Sequence, residues 1–258
     1  MANRLLLQCL VVAASVLAIC GAFLLAPIPQ DPAYHAFADA ARRLGVPNFW
    51  NVATNLPFLF AGLAGLAQVQ RLSALSLGLH YRVFCIGVAL VAFGSAYYHF
   101  DPSTPALVWD RLPMTVAFMA LFAAVLMDRV SAPLGRALLW PLVAAGIASI
   151  AWWIHTELAG RGDLRPYALV QFLPMLLLPL ILLLSKGGSL STAFLWKSLG
   201  AYGAAKLAEH FDPLILDATG VFSGHSLKHL FAALGAWWAI RAFLSGAGAH
   251  FRRQVTAD

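Results

Sequence analysis

Eight long apolar segments, joined by short connections, are the feature that most constrains the fold of this chain. They cover residues 5–26, 50–70, 81–100, 106–127, 136–155, 167–185, 192–210 and 224–244. A helix needs about 17–25 apolar residues to cross a bilayer, and each segment has that length. Because lipid offers no partner to a free backbone N–H or C=O, a single spanning segment must be helical. The sequence therefore predicts an all-α, polytopic membrane helix bundle.

The low charge of the chain excludes an ordinary soluble domain. Hydrophobic residues make up 61% of the 258 residues and charged residues only 11%, whereas soluble domains carry about 25% charged residues. We expect one membrane domain over residues 1–258, with the lipid bilayer around it and no obligate protein partner. The formal charge of +6 comes from dispersed residues rather than a long basic run, which argues against a nucleic-acid partner.

The first apolar segment follows Arg4, a pattern that cleaved signal peptides share with first transmembrane helices. Its apolar run is longer than the core of a usual signal peptide, and no clear pair of small residues marks a cleavage site before Pro27. We therefore expect a retained extra N-terminal helix at residues 5–26, ahead of a seven-helix catalytic core at residues 50–244.

The basic residues of the loops predict how the eight helices are oriented. If the N-terminus is cytoplasmic, nine basic residues lie on the inside: Arg4, Arg71, Arg82, Arg129, Arg136, Lys186, Arg241, Arg252 and Arg253. Only four lie outside: Arg42, Arg43, Arg161 and Arg165. Cytoplasmic loops carry the excess of basic residues in membrane proteins, so both termini are predicted to be cytoplasmic.

Four ionisable side chains within the helices are predicted to meet at one level of the bilayer. A charge at mid-bilayer costs about 2.5–3.5 kcal/mol, so such residues need a partner or a function. In the orientation above, the third helix ends, and the fourth and eighth begin, at the extracytoplasmic leaflet. These helix ends carry His99, Asp110, His225 and His229. Hydrogen bonding between helices is the plain alternative, but it accounts less well for three histidines and a carboxylate at one level.

The types and spacing of these residues indicate a catalytic zinc site. His225 and His229 are four residues apart, and side chains at that spacing share one face of a helix. With His99 they supply three imidazoles, and three protein ligands with one open position is the pattern of catalytic zinc. Zinc would activate a water molecule, and Asp110 would act as general base or hold that water. Ser95 would donate a hydrogen bond to the oxyanion formed at an attacked carbonyl.

Two further polar sets allow other interpretations. Lys206 and Glu209 have the spacing of an ion pair on one helix. In the first outer loop, Asp31, His35 and Asp39 lie close in sequence and would suit a calcium ion. Calcium is therefore a weaker cofactor candidate than zinc.

Four motifs resemble those of the alkaline ceramidase family, in the same order along the chain. Phe49–Asn55 (FWNVATN) is similar to the family's FWNxxSN stretch, and Gly94–His99 (GSAYYH) to its GSxxFH motif. Asp110–Met114 (DRLPM) resembles DELPM, at the same eleven-residue distance after the histidine, and His225–His229 resembles the closing HxxxH. The wider superfamily includes the progestin and adipoQ receptor-like proteins.

The resemblance implies a seven-helix core and a zinc-dependent hydrolase. Zinc would be held by His99, His225 and His229. Asp110 would activate water, and Ser95 would support the oxyanion. The implied reaction is hydrolysis of the ceramide amide to a sphingoid base and a fatty acid, which places the chain in sphingolipid metabolism.

Departures from the family motifs concern charge. Asn48 stands where the family has a carboxylate, which weakens the case for calcium. Arg111 replaces the glutamate of DELPM, and Lys228 lies between the two closing histidines, so the mouth of the site is expected to be basic. A basic mouth would favour an anionic lipid or a carboxylate product.

The sequence thus predicts a zinc-dependent intramembrane amidohydrolase, which cleaves the N-acyl amide of ceramide or a similar lipid by attack of a zinc-activated water. Two other classes remain open. A metal-containing seven-helix lipid receptor or sensor would bind such lipids with little or no hydrolysis. A proton-coupled transporter would use the buried ionisable residues as a relay, but it would not need an oxyanion donor beside three histidines.

Overall fold

The computed structural model describes residues 2–72 and 76–255, with side chains for residues 4–72 and 76–246. Over this part of the chain the backbone forms α-helices and no β-sheet, so the prediction of an all-α helix bundle is confirmed. The helices are α1 (Ala2–Leu24), α2 (Phe49–Ala53), α3 (Leu56–Leu66), α4 (Gly78–Phe100), α5 (Thr104–Val125), α6 (Ala132–Leu158), α7 (Arg165–Leu184), α8 (Thr192–His210), α9 (Asp212–Thr219) and α10 (Gly224–Val255). All eight predicted segments contain helix.

Within the described residues, six stretches are long and apolar enough to cross a membrane: α1, α2 with α3, α4, α5, α6 and α7. The chain is therefore a multi-pass membrane protein. The predicted set of eight also includes α8 and α10, long helices that carry more ionisable side chains, among them Lys206, Glu209 and Lys228. The orientation of the termini stays a prediction, and the side chains of Arg252 and Arg253 lie outside the described part of the chain.

The second predicted span is interrupted near its start. It consists of α2 and α3, which are separated at Thr54 and Asn55. Pro57 lies in the first turn of α3, where its missing N–H costs no hydrogen bond. At the break, the Thr54 hydroxyl donates to the carbonyl oxygen of Trp50 at 2.6 Å. Its oxygen is left free to accept a hydrogen bond from another helix.

A short helix, α9, forms in what the apolar pattern predicts as a connection between two spans. Pro213 lies in its first turn, and Gly220 ends it in the left-handed conformation, at φ 68°. This helix reverses the chain so that α10 begins beside the end of α8. A Cβ on Gly224 would lie 2.0 Å from the carbonyl oxygen of Ala208, so glycine is required for this close start.

The central helix of the bundle is α5, which packs between α4 and α6 and is mostly buried. Small residues let the backbones of α4 and α5 approach, as is usual for helices in membranes. Gly87 meets Ala117, and a Cβ on Gly94 would lie 2.0 Å from the carbonyl oxygen of Trp109. The approach at Gly94 brings the last turns of α4 against the first turns of α5.

Helix α1 lies at the edge of the bundle, against α7 and the π-helical turn at Leu126–Val130. Most of its side chains are exposed, although Leu7 and Val11 are buried. The connection after it, residues 25–48, covers the end of the bundle where α4 ends and α5 and α10 begin. We call this end the site end.

Candidate metal centre

Three buried histidines meet at the site end. His99 lies in the last turn of α4, and His225 and His229 lie on successive turns at the start of α10. The ring centroids are 4.9 Å (His99–His225), 4.8 Å (His99–His229) and 5.0 Å (His225–His229) apart. All three residues are buried. The structure brings together the three histidines that the sequence pattern selects.

The nitrogen atoms of this trio fit a metal ion. The Nε2 atoms of His99 and His225 face each other at 3.4 Å, and one ring nitrogen from each histidine lies within 4.8 Å of the others. A tetrahedral zinc ion with Zn–N bonds of about 2.0–2.1 Å holds its ligand nitrogens about 3.4 Å apart. Among the residues that the structure describes, no other group of three or more His, Cys, Asp or Glu side chains is close enough to share an ion.

The hydroxyl of Thr54 sets which nitrogen of His229 faces the trio. It donates its single proton to Trp50, so it can only accept from Nδ1 of His229, which lies 3.0 Å away. Nδ1 therefore carries the ring proton, and the lone pair of His229 is on Nε2. Metal-binding imidazoles commonly donate their second N–H in this way. Sequence reasoning gave Thr54 no role, because the break between α2 and α3 is hidden within one apolar run.

Asp212 fixes the start of α10. One of its carboxylate oxygens accepts the backbone N–H of His225 at 2.6 Å, and the other accepts that of Ala38 at 3.1 Å. A carboxylate here satisfies a free N–H of the first turn and favours the positive end of the helix dipole. Asp212 is the first residue of α9, and no motif of the sequence gave an indication of this role.

Asn48, just before the FWN motif, and Asn51 within it tie α2 to both histidine-bearing helices. The amide of Asn48 donates to the carbonyl oxygen of His99 at 2.9 Å. Asn51, which is fully buried, accepts from the Ser226 hydroxyl at 2.8 Å and donates to the carbonyl oxygen of Asp39 at 3.1 Å. This motif therefore acts on the site by positioning its helices.

Ser95 and Asp110 face each other across the contact between α4 and α5. The Ser95 side chain interacts with the Asp110 carboxylate, and both residues are buried. The missing side chain of Gly94 allows the two helices to come this close. Ser95, Asp110 and His229 line one cavity. All five predicted site residues thus lie at the site end.

A cavity of about 370 Å³ extends from the site between the helices. This volume is within the range of about 300–1,000 Å³ that small-molecule sites usually have. Away from the site its walls are apolar and include Phe58, Phe84, Val88, Phe118, Leu121 and Leu178. Its charged lining residues are Asp110, Arg111, Lys206, Glu209 and Lys228. An apolar cavity with one charged end suits a lipid chain that carries a polar head group.

Glu209 is the centre of a buried ion network beside the trio. It accepts from Nζ of Lys206 at 2.7 Å and from Nζ of Lys228 at 2.6 Å. The Lys206–Glu209 pair predicted from the spacing is confirmed. Lys228, between the two histidines of α10, also lies with Nζ 3.5 Å from Nε2 of His225. Both lysines are therefore paired with a carboxylate.

Phe37, in the connection at residues 25–48, covers the trio. Its ring centroid lies 4.7 Å from that of His99 and 4.5 Å from that of His225. An aromatic ring in this position shields two of the three imidazoles from water. No sequence pattern pointed to Phe37, because it lies in an irregular segment.

The residues considered for calcium do not gather into a site. Asp31 and Asp39 each accept a backbone N–H within their own loop. Nδ1 of His35 lies 2.9 Å from the hydroxyl of Tyr98. Burial, and then the charge of Arg111, lower the pKa of His35. These three side chains are not close enough to share an ion, so the structure gives no support to calcium here.

Comparison with known proteins adds one finding. The sequence model of the ceramidase family matches residues 45–187, which is more than half of the chain. The matched stretch contains Ser95, His99 and Asp110, whereas His225 and His229 lie beyond it. No curated protein matches the chain. The two histidines of α10 therefore join the site through the geometry of the bundle rather than through the matched stretch.

Proposed function

The chain belongs to the ceramidase family, and we propose that it is a zinc-dependent amidohydrolase that acts within the membrane. It would cleave the N-acyl amide of ceramide, or of a similar lipid amide, to a free fatty acid and an amine lipid. The observation that carries this proposal is the histidine trio, which lies with Asp110 and Ser95 at the charged end of an apolar cavity.

The trio would hold the metal through ring nitrogens, with Thr54 orienting His229 and Asp212 fixing the backbone of His225. Three nitrogen ligands suit zinc, whereas calcium and magnesium prefer oxygen ligands. When bound, zinc supplies a Lewis acid that polarises the amide carbonyl and makes a water molecule nucleophilic near neutral pH.

Asp110 would be the residue that moves a proton. Its carboxylate takes a proton from the attacking water as the water oxygen bonds to the amide carbon. The same proton then passes to the amide nitrogen as the C–N bond breaks, so Asp110 returns to its carboxylate form. Glu209, the other carboxylate of the cavity, is held by two lysines and is not available for this role.

Ser95 would stabilise the charge that develops on the carbonyl oxygen. Its hydroxyl lies in the same cavity as Asp110 and is attached to a rigid, buried turn of α4. The carboxylate of Asp110 accepts the single hydroxyl proton of Ser95 before the reaction. Once Asp110 has taken a proton from water, the hydroxyl would be free to donate to the developing oxyanion.

The apolar part of the cavity would take the acyl chain, and the amide would lie at the site end. The distribution of basic residues favours an extracytoplasmic position for this end, with both termini cytoplasmic. We also propose that residues 50–244 form the catalytic core and that α1 is an addition to it, since α1 contributes no residue to the site or the cavity.

Metal analysis of the purified chain, combined with a hydrolysis screen of lipid amides, tests this proposal. We expect about one zinc ion per chain, and fatty-acid release that stops on chelation and returns when zinc is added back. Full activity in metal-stripped protein would contradict the mechanism. Lipid binding without fatty-acid release would favour a receptor, and ion flux in proteoliposomes that survives loss of all three histidines would favour a transporter.

A further inference from the structure

Arg111 is a buried cation without a carboxylate partner. It is 5% exposed, and it takes part in none of the ion pairs within the described part of the chain. One guanidinium nitrogen, Nη2, donates to the neutral side chain of Gln30 at 2.8 Å. The other terminal nitrogen, Nη1, is buried and has no hydrogen-bond partner. A buried charge in this state is costly unless something else compensates it.

Aromatic rings hold the guanidinium in place. It lies 4.4 Å from the ring centroid of Trp153, 4.7 Å from that of Tyr167 and 5.5 Å from that of Tyr34. These contacts fix the plane of the group and contribute cation–π attraction, but they offer no negative charge. The group is therefore oriented in advance, as a ligand-binding side chain must be.

The acidic residues nearby are already engaged. Glu157 accepts a hydrogen bond from the backbone N–H of Gln30 at 3.0 Å. It accepts a second one, at 3.2 Å, from the indole N–H of Trp153, one of the rings around Arg111. Asp110, the neighbour of Arg111 in sequence, accepts a hydrogen bond from Ser95, and its charge also interacts with those of Lys228 and Arg111. Neither carboxylate forms an ion pair with the guanidinium.

The charges of the cavity leave a cation unbalanced. Three basic and two acidic side chains line it. Lys206 and Lys228 share Glu209, so Arg111 is the cavity cation with no partner of its own. Its contacts with Gln30 and Tyr34 place it under the connection at residues 25–48, at the site end. This is the head-group end of the cavity rather than the acyl end.

We propose that Arg111 binds an anionic group, a carboxylate or a phosphate, on the head group of the lipid amide. The chain therefore prefers anionic N-acyl lipids to neutral ones. This inference rests on the proposed function, because the same cavity holds the amide to be cleaved. Nη1 donates charge-assisted hydrogen bonds to the anion, which are stronger than hydrogen bonds between neutral groups.

Three lipids with the same acyl chain test the preference: an N-acyl ethanolamine, an N-acyl serine and an N-acyl ethanolamine phosphate. For the wild-type chain we expect kcat/KM to be about 10- to 100-fold higher for at least one anionic lipid than for the neutral one. The carboxylate and phosphate arms show which anion is recognised. Arg111→Met should bring this ratio close to one, and Arg111→Lys should restore part of it.

Lys206→Met is the matched control. It removes a cation of the same cavity that, unlike Arg111, already forms an ion pair with Glu209. It should leave the ratio intact. A wild-type ratio near one would overturn the inference. So would an Arg111→Met variant that weakens all three lipids equally, since Arg111 would then only support the bundle.

A binding measurement separates this inference from the proposed function. Each lipid competes with a fluorescent fatty-acyl probe for the full chain, and the Kd values should show the same preference and the same loss in Arg111→Met. If no lipid is hydrolysed but the preference persists, the proposed function fails and the inference stands. Equal Kd values for neutral and anionic lipids would contradict the inference, whatever the result of the hydrolysis measurement.

Discussion

Two Asp–Arg dipeptides, Asp110–Arg111 and Asp128–Arg129, are buried at opposite ends of one stretch of chain and are used in opposite ways. In the second, Nε of Arg129 donates to its own neighbour Asp128 at 2.7 Å. The Asp128 carboxylate also accepts the backbone N–H of Ser189 at 2.6 Å and that of Leu190 at 3.1 Å. This pair holds the connection before α8 against the bundle.

In the first dipeptide the two side chains form no ion pair with each other. Asp110 interacts with Ser95, and Arg111 is held by Gln30 and aromatic rings, with both charges on one cavity. The same two residue types therefore pair with each other in one place, and in the other they line the cavity in which we propose that the reaction takes place. The difference lies in the partners that the fold supplies, not in the dipeptide.

The same contrast between site residues and supporting residues can be tested on two buried histidines, His225 of α10 and His80 of α4. This test has the largest expected effect. His225→Ala should reduce zinc from about one ion per chain to almost none and abolish hydrolysis, because one of three nitrogen ligands is lost. His80 bonds to the carbonyl oxygen of Gly135 (3.1 Å) at the other end of the bundle, so His80→Ala should retain zinc. Elemental analysis of folded protein measures both, and equal zinc loss in the two variants would show that the histidines act only through the fold.

Asp110→Asn should lower kcat by about 10²- to 10⁴-fold while zinc is retained, since the carboxamide cannot accept the proton from water. The same substitution in the other dipeptide, Asp128→Asn, is its control and should leave activity per zinc-loaded molecule unchanged. Fatty-acid release under substrate saturation measures both. Equal losses of kcat would remove the distinction between the dipeptides.

Ser95→Ala should lower kcat by about 10²- to 10³-fold, the usual cost of removing one oxyanion donor. Ser149, a buried serine of α6 whose hydroxyl donates to the carbonyl oxygen of Gly146 (2.7 Å), supplies the matched variant Ser149→Ala. That variant should keep its kcat. If Ser95→Ala changed KM alone, the hydroxyl would serve binding rather than the transition state.

Asp128→Asn should lower the free energy of unfolding by about 3–5 kcal/mol, because it leaves the buried charge of Arg129 without its counter-ion. The loss concerns stability, so thermal unfolding in detergent is the measurement. A loss as large in Asp110→Asn would mean that both dipeptides are structural.

A third pair, Asp163 and Arg165, lies at the start of α7 and gives the smallest expected effect. Nε and Nη2 of Arg165 donate to the two oxygens of Asp163 at 2.8 and 2.9 Å, and this holds the pKa of Asp163 at about 2. The stabilisation is complete above the ordinary pKa of 3.8 and is lost as the pH falls towards 2. Asp163→Asn should remove this part of the pH dependence of the unfolding temperature between pH 5 and pH 2, and an unchanged profile would contradict it.

The helices could be predicted because apolar length alone requires them, and the histidine trio because alternating spans bring their ends to one level. The break at Thr54 and the short helix α9 could not be predicted. Both depend on single hydrogen bonds and on turn residues inside or between apolar runs, where hydropathy carries no information.

Within the site, the sequence pointed to the residues to which we assign the chemistry, and it missed those that hold them in position. Thr54, Asp212 and Phe37 act through contacts between segments far apart in the chain. The basic mouth was expected from Arg111 and Lys228 together. The structure distinguishes them, since Lys228 forms an ion pair with Glu209 and Arg111 forms none with a described residue.

The carboxylate of Asp212, which binds the backbone of both Ala38 and His225, has a consequence for how the protein is made. The connection after the first helix is synthesised early, but its anchor is synthesised only with α9. His225 and His229 follow in α10. A chain synthesised from the N-terminus would therefore pass through a stage with an open site end, and the proposed metal could be bound only after α10 has joined the bundle.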